Sequence, residues 1–178
     1  AGDLLTLGVP LSGVRSYLAI RGGFDVDRVL GSRSTDTLAK LGPAPIKAGD
    51  ILLPANETCV SIYPYPLAGT SLPCGSDLIT IDVVMGPRTD WFTSESVSIF
   101  FSQPWTATAE SSRVGIRLQG AQALVRARQD ELPSEGTCAG SIQIPASGQP
   151  VLFLTDHPLT GGYPVIAVVA SHHLSLAA

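Results

Sequence analysis

Four side chains that could do chemistry lie close together near the carboxyl end of the chain. Residues 154–168 place a carboxylate, an imidazole, a hydroxyl and a phenol beside a Gly-Gly pair, from Asp156, His157, Thr160 and Tyr163. Apolar runs typical of buried strands flank them, and rigid strands can hold such groups while their tips face a ligand. Asp156 beside His157 suggests a charge relay, but adjacent strand residues point to opposite faces unless a turn intervenes. Asp156 and His157 are therefore weak catalytic candidates, and Tyr163 is a candidate for binding substrate.

Two arginines further upstream could bind an anion. Arg113 and Arg117 stand at an even offset, so they face the same side if the segment is extended. Two guanidinium groups on one face could clamp the carboxylate of a substrate. The alternative is a pair of surface arginines that meet Glu110 or Asp130.

A third group lies between these two motifs. Gln143 falls in a candidate strand and could offer its amide to an amide-like substrate. Glu131 or Glu135 could act as a general base if burial raised its pKa. An ordinary turn with solvated carboxylates is the competing interpretation.

Arg33 stands among hydroxyl residues and could grip a carboxylate or a phosphate. Its alternative is an internal ion pair beside a capped helix. The nearby Gly22 and Gly23 permit a positive φ or a close backbone approach. Neither GxGxxG nor GxxxxGK[ST] spacing occurs, so we expect no ATP site carried by this chain alone.

No metal site or redox motif is predicted. Cys59, Cys74 and Cys138 are odd in number and lack CxxC spacing. Cys59 and Cys74 could pair in an oxidising compartment, but reduced thiols are favoured. His172 and His173 are adjacent and have no further ligand at a typical spacing.

The composition excludes several classes of partner. The formal net charge is -4, from 11 basic and 15 acidic residues, which argues against nucleic acid or an anionic membrane. No apolar run approaches the roughly 20 residues that span a bilayer, and no signal peptide opens the chain, so we expect a cytoplasmic protein. The mean hydropathy of +0.27 is high for a free-standing domain and indicates a large core plus an interface with another subunit.

Short apolar runs punctuated by 18 Gly and 14 Pro favour an all-β barrel or sandwich over a helical bundle. Residues 78–85 form a nearly continuous β-branched run, which is typical of a strand covered on both faces. The predicted strands are residues 3–7, 16–20, 50–53, 78–85, 106–110, 115–118, 141–144, 150–155 and 164–170.

Two short helices are expected among these strands. Thr93 can cap one whose apolar face is Val97, Phe100 and Phe101. A shorter one would run from Ser34 past Leu38 and Leu41 to Gly42 and Pro43. The Pro-rich residues 54–77 predict a long loop that separates an amino-terminal group of strands from the main barrel.

Six motifs in order closely resemble the allophanate hydrolase subunit 2 family, also called the biotin-dependent carboxyltransferase-like family, and cover nearly the whole chain. That family includes the C subunit of bacterial 5-oxoprolinase and the kinase-regulator partner KipA. The motifs are YLAIRGGFD at 17–25, LGSRST at 30–35, GPRTDWF at 86–92, SRVGIRL at 112–118, ELPSEG at 131–136 and TDHPLTGGYP at 155–164.

The resemblance implies a mainly β, cyclophilin-like β-barrel with a few short helices, here predicted as a single domain over residues 1–178. It implies a stable complex with a homologous subunit 1 (the B subunit in 5-oxoprolinase) and, in 5-oxoprolinase, with a further A subunit. Family members carry an amino-terminal portion ahead of the point where Ala1 begins, and they run past Ala178. The resemblance therefore implies a partial chain.

The leading hypothesis is that the chain is one component of an ATP-dependent 5-oxoprolinase that hydrolyses 5-oxoproline to glutamate. Arg113 or Arg117 would clamp the substrate carboxylate and Gln143 would meet its amide, while ATP would bind to another protein of the complex. One alternative is the carboxyltransferase half of a biotin-dependent urea carboxylase, with the biotin carrier on another chain or domain. The other is a non-enzymatic, KipA-like regulator that binds subunit 1.

Overall fold

The computed structural model describes residues 2–9, 16–37, 39–57 and 77–177. The chain forms two compact units, Ala1–Leu78 and Ile79–Ala178. The boundary falls just after the Pro-rich stretch that the sequence marks as a separator. The single domain over residues 1–178 stays a prediction.

The first unit contains turns and isolated bridges over its described residues. Antiparallel bridges join Phe24 to Pro54 and Val29 to Ser32. The strands expected at residues 3–7, 16–20 and 50–53 do not form, because these stretches gain no continuous ladder with a neighbour. Cys59 and Cys74 lie outside the described residues.

The helix expected from Ser34 is also absent from the described residues of this unit. Asp36 instead bridges Leu41, and the chain turns between them, with Lys40 at φ 56°. Gly42, at φ 86°, closes the turn so tightly that a Cβ there would lie 2.3 Å from the Ser34 carbonyl oxygen. Leu38 lies outside the described residues.

The second unit is antiparallel β structure. Its strands are β1 (Val83–Met85), β2 (Thr106–Ala107), β3 (Gly115–Gln119), β4 (Glu135–Gly136), β5 (Ser141–Gln143), β6 (Val151–Phe153), β7 (Thr160–Gly161) and β8 (Val165–Val169). Six of them form one sheet in the order β1-β8-β5-β6-β3-β2, and β4 pairs with β7 in a two-stranded ribbon. The mainly β prediction is confirmed, and each predicted strand from residue 106 onward overlaps an observed one.

The helices of this unit are few and short. Helix α1 (Ser94–Ser102) begins after Thr93, whose hydroxyl oxygen accepts a hydrogen bond from the Ser96 amide. A final turn, α2 (Leu174–Ala177), follows a 3-10 turn at Ser171–His173. No helix of the described residues is long and apolar enough to cross a bilayer.

The core lies where α1 and the central strands meet. Ile144, Ile166 and Ala167 have no exposed surface, and Trp91, Phe92 and Phe100 join the same cluster. Burial of these side chains supplies the main stabilising free energy, at roughly 25 cal/mol per Å² of apolar surface. The prediction that Phe101 belongs to the buried face of α1 is wrong, because this side chain is 57% exposed.

Strand β1 differs from its prediction in both length and environment. Only three residues of the expected 78–85 run are a strand, and this strand pairs with β8 alone among the described strands. Ile79, Val84 and Met85 are exposed. A β-branched run therefore marks an edge strand here, and not one that the described residues cover on both faces.

Candidate functional site

The ribbon of β4 and β7 brings together two motifs that are distant in sequence. Glu135 pairs with Gly161, and Gly136 pairs with Thr160. The sequence prediction missed both strands, because two residues are too few to show an alternating pattern. The ribbon sets the ELPSEG and TDHPLTGGYP motifs side by side.

Arg88, from the GPRTDWF motif, holds Glu135 at this ribbon. Its Nε donates to both carboxylate oxygens, at 2.9 and 3.0 Å, and its terminal NH2 donates to Oε1. The hydrogen bonds from Arg88 lower the pKa of Glu135 below its ordinary value, against a smaller opposing effect of burial. The expectation of a general base with a raised pKa at Glu135 is therefore corrected, because the fold supplies a cation.

Gln143 occupies a buried position on β5 and fixes the end of the same motif. It is 4% exposed, and its side-chain amide donates to the Tyr163 carbonyl oxygen at 3.0 Å. Gly161 leaves room for this amide, since a Cβ there would lie 2.4 Å from Gln143 Nε2. The contact makes Gln143 a positioning residue for the Gly-Gly-Tyr turn, and its predicted contact with substrate stays a prediction.

A cavity of about 430 Å³ opens beside this turn. Its size falls within the usual range for small-molecule sites, roughly 300–1,000 Å³. Charged, hydroxyl and aromatic groups line it together with Leu132: Arg126, Asp130, Glu131, Ser134, Gly162 and Tyr163. The sequence motifs predict Glu131 and Tyr163 as candidate site residues, but they do not include Arg126.

Arg126 is fixed in this cavity from three sides. Its backbone bridges Phe92, its NH2 group donates to the Ile144 carbonyl oxygen at 2.6 Å, and its guanidinium lies 5.7 Å from the centre of the Tyr163 ring. Its Nε is buried and has no hydrogen-bond partner among the described residues. The fold therefore leaves this N–H group without a partner, which is costly for a buried group.

A signal in the sequence could have identified Arg126. It stands two residues after the apolar Leu124, so the two side chains share one face if the segment is extended, and the structure buries Leu124. A charged residue at an inward position is rare unless it has a partner or a function.

The cavity combines groups that suit an amide ligand. A guanidinium can donate to a carbonyl oxygen, and the carboxylates of Asp130 and Glu131 can accept from an N–H group. A lactam or a urea presents both kinds of group on a small planar frame.

The two arginines expected to form an anion clamp each face an acid. Arg113 lies 3.1 Å from the Asp156 carboxylate, and Arg117 lies 3.8 Å from Glu110. All four side chains are at least 45% exposed, so these pairs contribute little to stability. The arrangement around Arg117 matches the surface alternative, and the clamp stays a prediction.

His157 does not form a relay with Asp156, because the turn directs the two side chains to different partners. Its Nδ1 lies 2.8 Å from the Pro158 carbonyl oxygen, which can only accept, so this nitrogen donates. Its ring stacks on the Phe153 ring, with 6.2 Å between the two ring centroids, while Asp156 forms an ion pair with Arg113. Both residues stay weak catalytic candidates without a shared geometry.

Arg33 forms an internal ion pair within the first unit, as its alternative interpretation predicts. It donates to both oxygens of Glu57, at 2.7 and 3.1 Å, and to the Val26 carbonyl oxygen at 2.8 Å. Its hydrogen bond to Glu57 raises its pKa and lowers that of Glu57. Arg33 is thus internally paired, and its role as a binding residue stays a prediction.

The whole chain, residues 1–178, matches the family model described as carboxyltransferase domain, subdomain A and B. It is 38% identical to the C subunit of Escherichia coli 5-oxoprolinase, over 95% of this chain and 54% of that protein. It is 35% identical to urea amidolyase of Saccharomyces cerevisiae, over 97% of this chain and 10% of that protein.

Solved structures show the same fold. The crystal structure of TTHA0988 matches with a TM-score of 0.66 and 31% identity, over 88% of this chain and 29% of that one. The Kluyveromyces lactis urea carboxylase matches with a TM-score of 0.65 and 31% identity, over 89% of this chain and 16% of that one. The chain thus spans about half the length of the 5-oxoprolinase proteins that it matches and a smaller part of the multidomain enzymes.

Proposed function

This chain belongs to the carboxyltransferase-domain family, subdomains A and B, and on that premise we propose that it is part of an ATP-dependent 5-oxoprolinase. The complex would hydrolyse 5-oxoproline to glutamate. The observation that carries the proposal is the cavity at Arg126 and Tyr163, beside the ribbon where motifs shared with the family converge. The 38% identity to the C subunit of a 5-oxoprolinase supports the choice of substrate.

The cavity residues have defined roles in this proposal. Arg126 donates to the lactam carbonyl oxygen, so it stabilises the negative charge that develops there when a nucleophile attacks. Glu131 or Asp130 accepts a hydrogen bond from the lactam N–H. Tyr163 keeps the guanidinium in place through its ring, and Arg88 and Glu135 brace the adjoining ribbon.

Partners complete the reaction. A lactam is a poor electrophile, so phosphoryl transfer from ATP to its carbonyl oxygen on a partner protein, with release of ADP, would activate it. One water would then add to the activated carbon and the C–N bond would break, which leaves the free amine and an acyl phosphate. A second water would release inorganic phosphate and glutamate. The partners are a homologous subunit 1, which is the B subunit of 5-oxoprolinase, and the A subunit. The proposed reaction uses no cofactor bound by this chain, because a partner binds the ATP. A cytoplasmic location follows from the same assignment.

Coexpression of the full-length protein with the A and B subunits, followed by an assay of ATP-dependent glutamate release, tests the proposal. A well-folded complex without turnover would contradict it. Within an active complex, we expect Arg126→Gln to lower kcat by about 10²-fold, the usual effect of losing one such donor.

A matched control stands two residues away. Arg128 also packs on an aromatic ring, 5.9 Å from the centre of Trp91, but it pairs with Asp90 and does not line the cavity. Arg128→Gln should keep full activity. Arg126→Gln could also weaken the fold, so a second variant is needed. Glu131 lines the cavity at an exposed position, so Glu131→Gln should lower activity without disturbing the core.

The urea amidolyase and urea carboxylase relatives favour a second candidate function, carboxyl transfer from carboxybiotin to urea or a related amide. The same cavity would bind urea, with Arg126 at its carbonyl oxygen. Biotin would then be carried by another chain or domain. Carboxylation of urea by the full protein with a biotinylated carrier, without glutamate release from 5-oxoproline, would select this function. Capture of subunit 1 and a kinase without either activity would select the KipA-like regulator.

A further inference from the structure

Three potential metal ligands meet at the edge of the six-stranded sheet, away from the amide cavity. Asp82 precedes β1, and His172 and His173 lie in the 3-10 turn that follows β8. His172 Nε2 lies 3.1 Å from Asp82 Oδ2, and His173 Nδ1 lies 3.8 Å from the same oxygen. The three ligand atoms all lie within 4.8 Å of one another.

These separations suit a single small cation. Zinc bound at about 2.0–2.1 Å in a tetrahedral site places its ligands about 3.4 Å apart. The observed distances to Asp82 fall on either side of that value, so small side-chain rotations would bring the three atoms to one metal ion. Two imidazoles and a carboxylate also match the ligand preference of zinc.

The hydrogen bonds in the cluster show which nitrogen atoms are available. His173 Nδ1 accepts a hydrogen bond from the Asp82 amide at 2.9 Å, so this nitrogen carries a lone pair and no proton. His172 Nε2 donates a hydrogen bond to the Asp82 carboxylate at 3.1 Å. A metal ion would replace that proton and the amide donor, and the freed amide belongs to an exposed residue that water can reach.

We propose that Asp82, His172 and His173 bind one divalent transition-metal ion, with Zn²⁺ as the preferred ion. Three protein ligands leave a coordination position for water. The ion would tie the start of edge strand β1 to the last turn of the chain, across a separation of 90 residues between Asp82 and His172. Sequence reasoning missed this site because it considered only the spacing around the two adjacent histidines.

Zinc binding to the full, metal-free chain tests the proposal, with Zn²⁺ alone as the probe. We expect a stoichiometry near one in calorimetry and a rise in Tm with zinc concentration. Asp82→Asn, His172→Ala and His173→Ala should each weaken binding at least tenfold. His172 and Asp82 are both 63% exposed in their side chains, so two of these variants should fold normally.

His157, the third histidine of the chain, supplies the matched control. His157→Ala should leave zinc affinity unchanged. Nitrogen-resolved NMR of the histidine rings should show zinc at His172 Nε2 and His173 Nδ1. Absence of binding, or binding that survives substitution of both His172 and His173, would overturn the proposal and in the second case assign the zinc to other groups such as the thiols.

Discussion

Arg88 and Glu135 form an ion pair with three hydrogen bonds, which connects the GPRTDWF motif to the two-stranded ribbon. The two side chains are 37% and 29% exposed, and they come from residues 47 positions apart. The pair therefore fixes a long-range connection at the ribbon beside the site, and it does so through a charge that depends on pH.

The first prediction concerns the pH dependence of this pair. The pKa of Glu135 is lowered in the folded protein, so the pair contributes stability at pH values above the ordinary glutamate pKa of about 4.3. That contribution is lost as the pH falls through the lower folded-state pKa. Glu135→Gln should therefore lower Tm at pH 7, and its difference from wild type should shrink as the solution is made more acidic.

Thermal unfolding between pH 7 and pH 3, followed by Trp91 and Trp105 fluorescence, measures this effect. Glu110→Gln is the control, because Glu110 is 81% exposed and lies 3.8 Å from Arg117. Its Tm should match wild type throughout. A Glu135→Gln difference that stays constant down to pH 3 would contradict the charge-based explanation.

The second prediction uses the two adjacent glycines of the turn. A Cβ at Gly161 would lie 2.4 Å from Gln143 Nε2, whereas at Gly162 the nearest heavy atom, the Leu132 carbonyl oxygen, is 3.7 Å away. Gly161→Ala must displace the buried amide from the Tyr163 carbonyl oxygen and should cost about 1–3 kcal/mol. Gly162→Ala should lie within about 0.5 kcal/mol of wild type.

Urea unfolding of a double-mutant cycle would test the assigned cause. If Gly161→Ala acts through the amide, then combining it with Gln143→Ala should cost less than the sum of the two single changes. Additive costs would mean that the alanine methyl group strains something other than Gln143.

The third prediction concerns the start of α1. The Thr93 hydroxyl oxygen accepts from the Ser96 amide at 3.1 Å, and the hydroxyl donates to Ser96 Oγ at 3.0 Å. Ser96 Oγ in turn accepts from the Val125 amide at 2.8 Å, so the cap connects the helix to the segment that carries Arg126. Thr93→Ala should lower the free energy of unfolding by about 1 kcal/mol. Thr93→Ser keeps the hydroxyl group and should retain most of the stability that the cap contributes. Equal losses in both variants, measured by chemical unfolding, would mean that the cap bond is not responsible.

The sequence predicted the elements whose pattern is local. The α1 cap at Thr93 and the strand cores at β3, β5, β6 and β8 follow from residues within a few positions of one another. The pairing of β4 with β7 could not be predicted, because it depends on partners about 25 residues apart and on strands of two residues. The missing strands of the first unit have the same cause, since alternation alone does not supply a neighbour.

The candidate site divides along the same line. Its motifs were found as blocks, and Tyr163 was chosen because of its position in one of them. The contacts between these motifs were not predictable from their spacing. Arg88 pairs with Glu135, the proposed base, and Asp156 pairs with Arg113. Arg126 was missed because it lies in none of the family motifs, and its importance comes from a cavity that only the fold creates.

The last prediction separates two adjacent phenylalanines that the helical pattern assigned to one apolar face. Phe100 is 8% exposed and packs in the core, while Phe101 is 57% exposed and meets Phe100 edge to face at 5.1 Å. Phe100→Ala should cost about 3–5 kcal/mol, because it removes core contacts and leaves a cavity. Phe101→Ala loses only the ring pair and should cost at most about 1 kcal/mol. Denaturant unfolding of the full chain measures both, and a large loss for Phe101→Ala would mean that its exposed face is covered in solution.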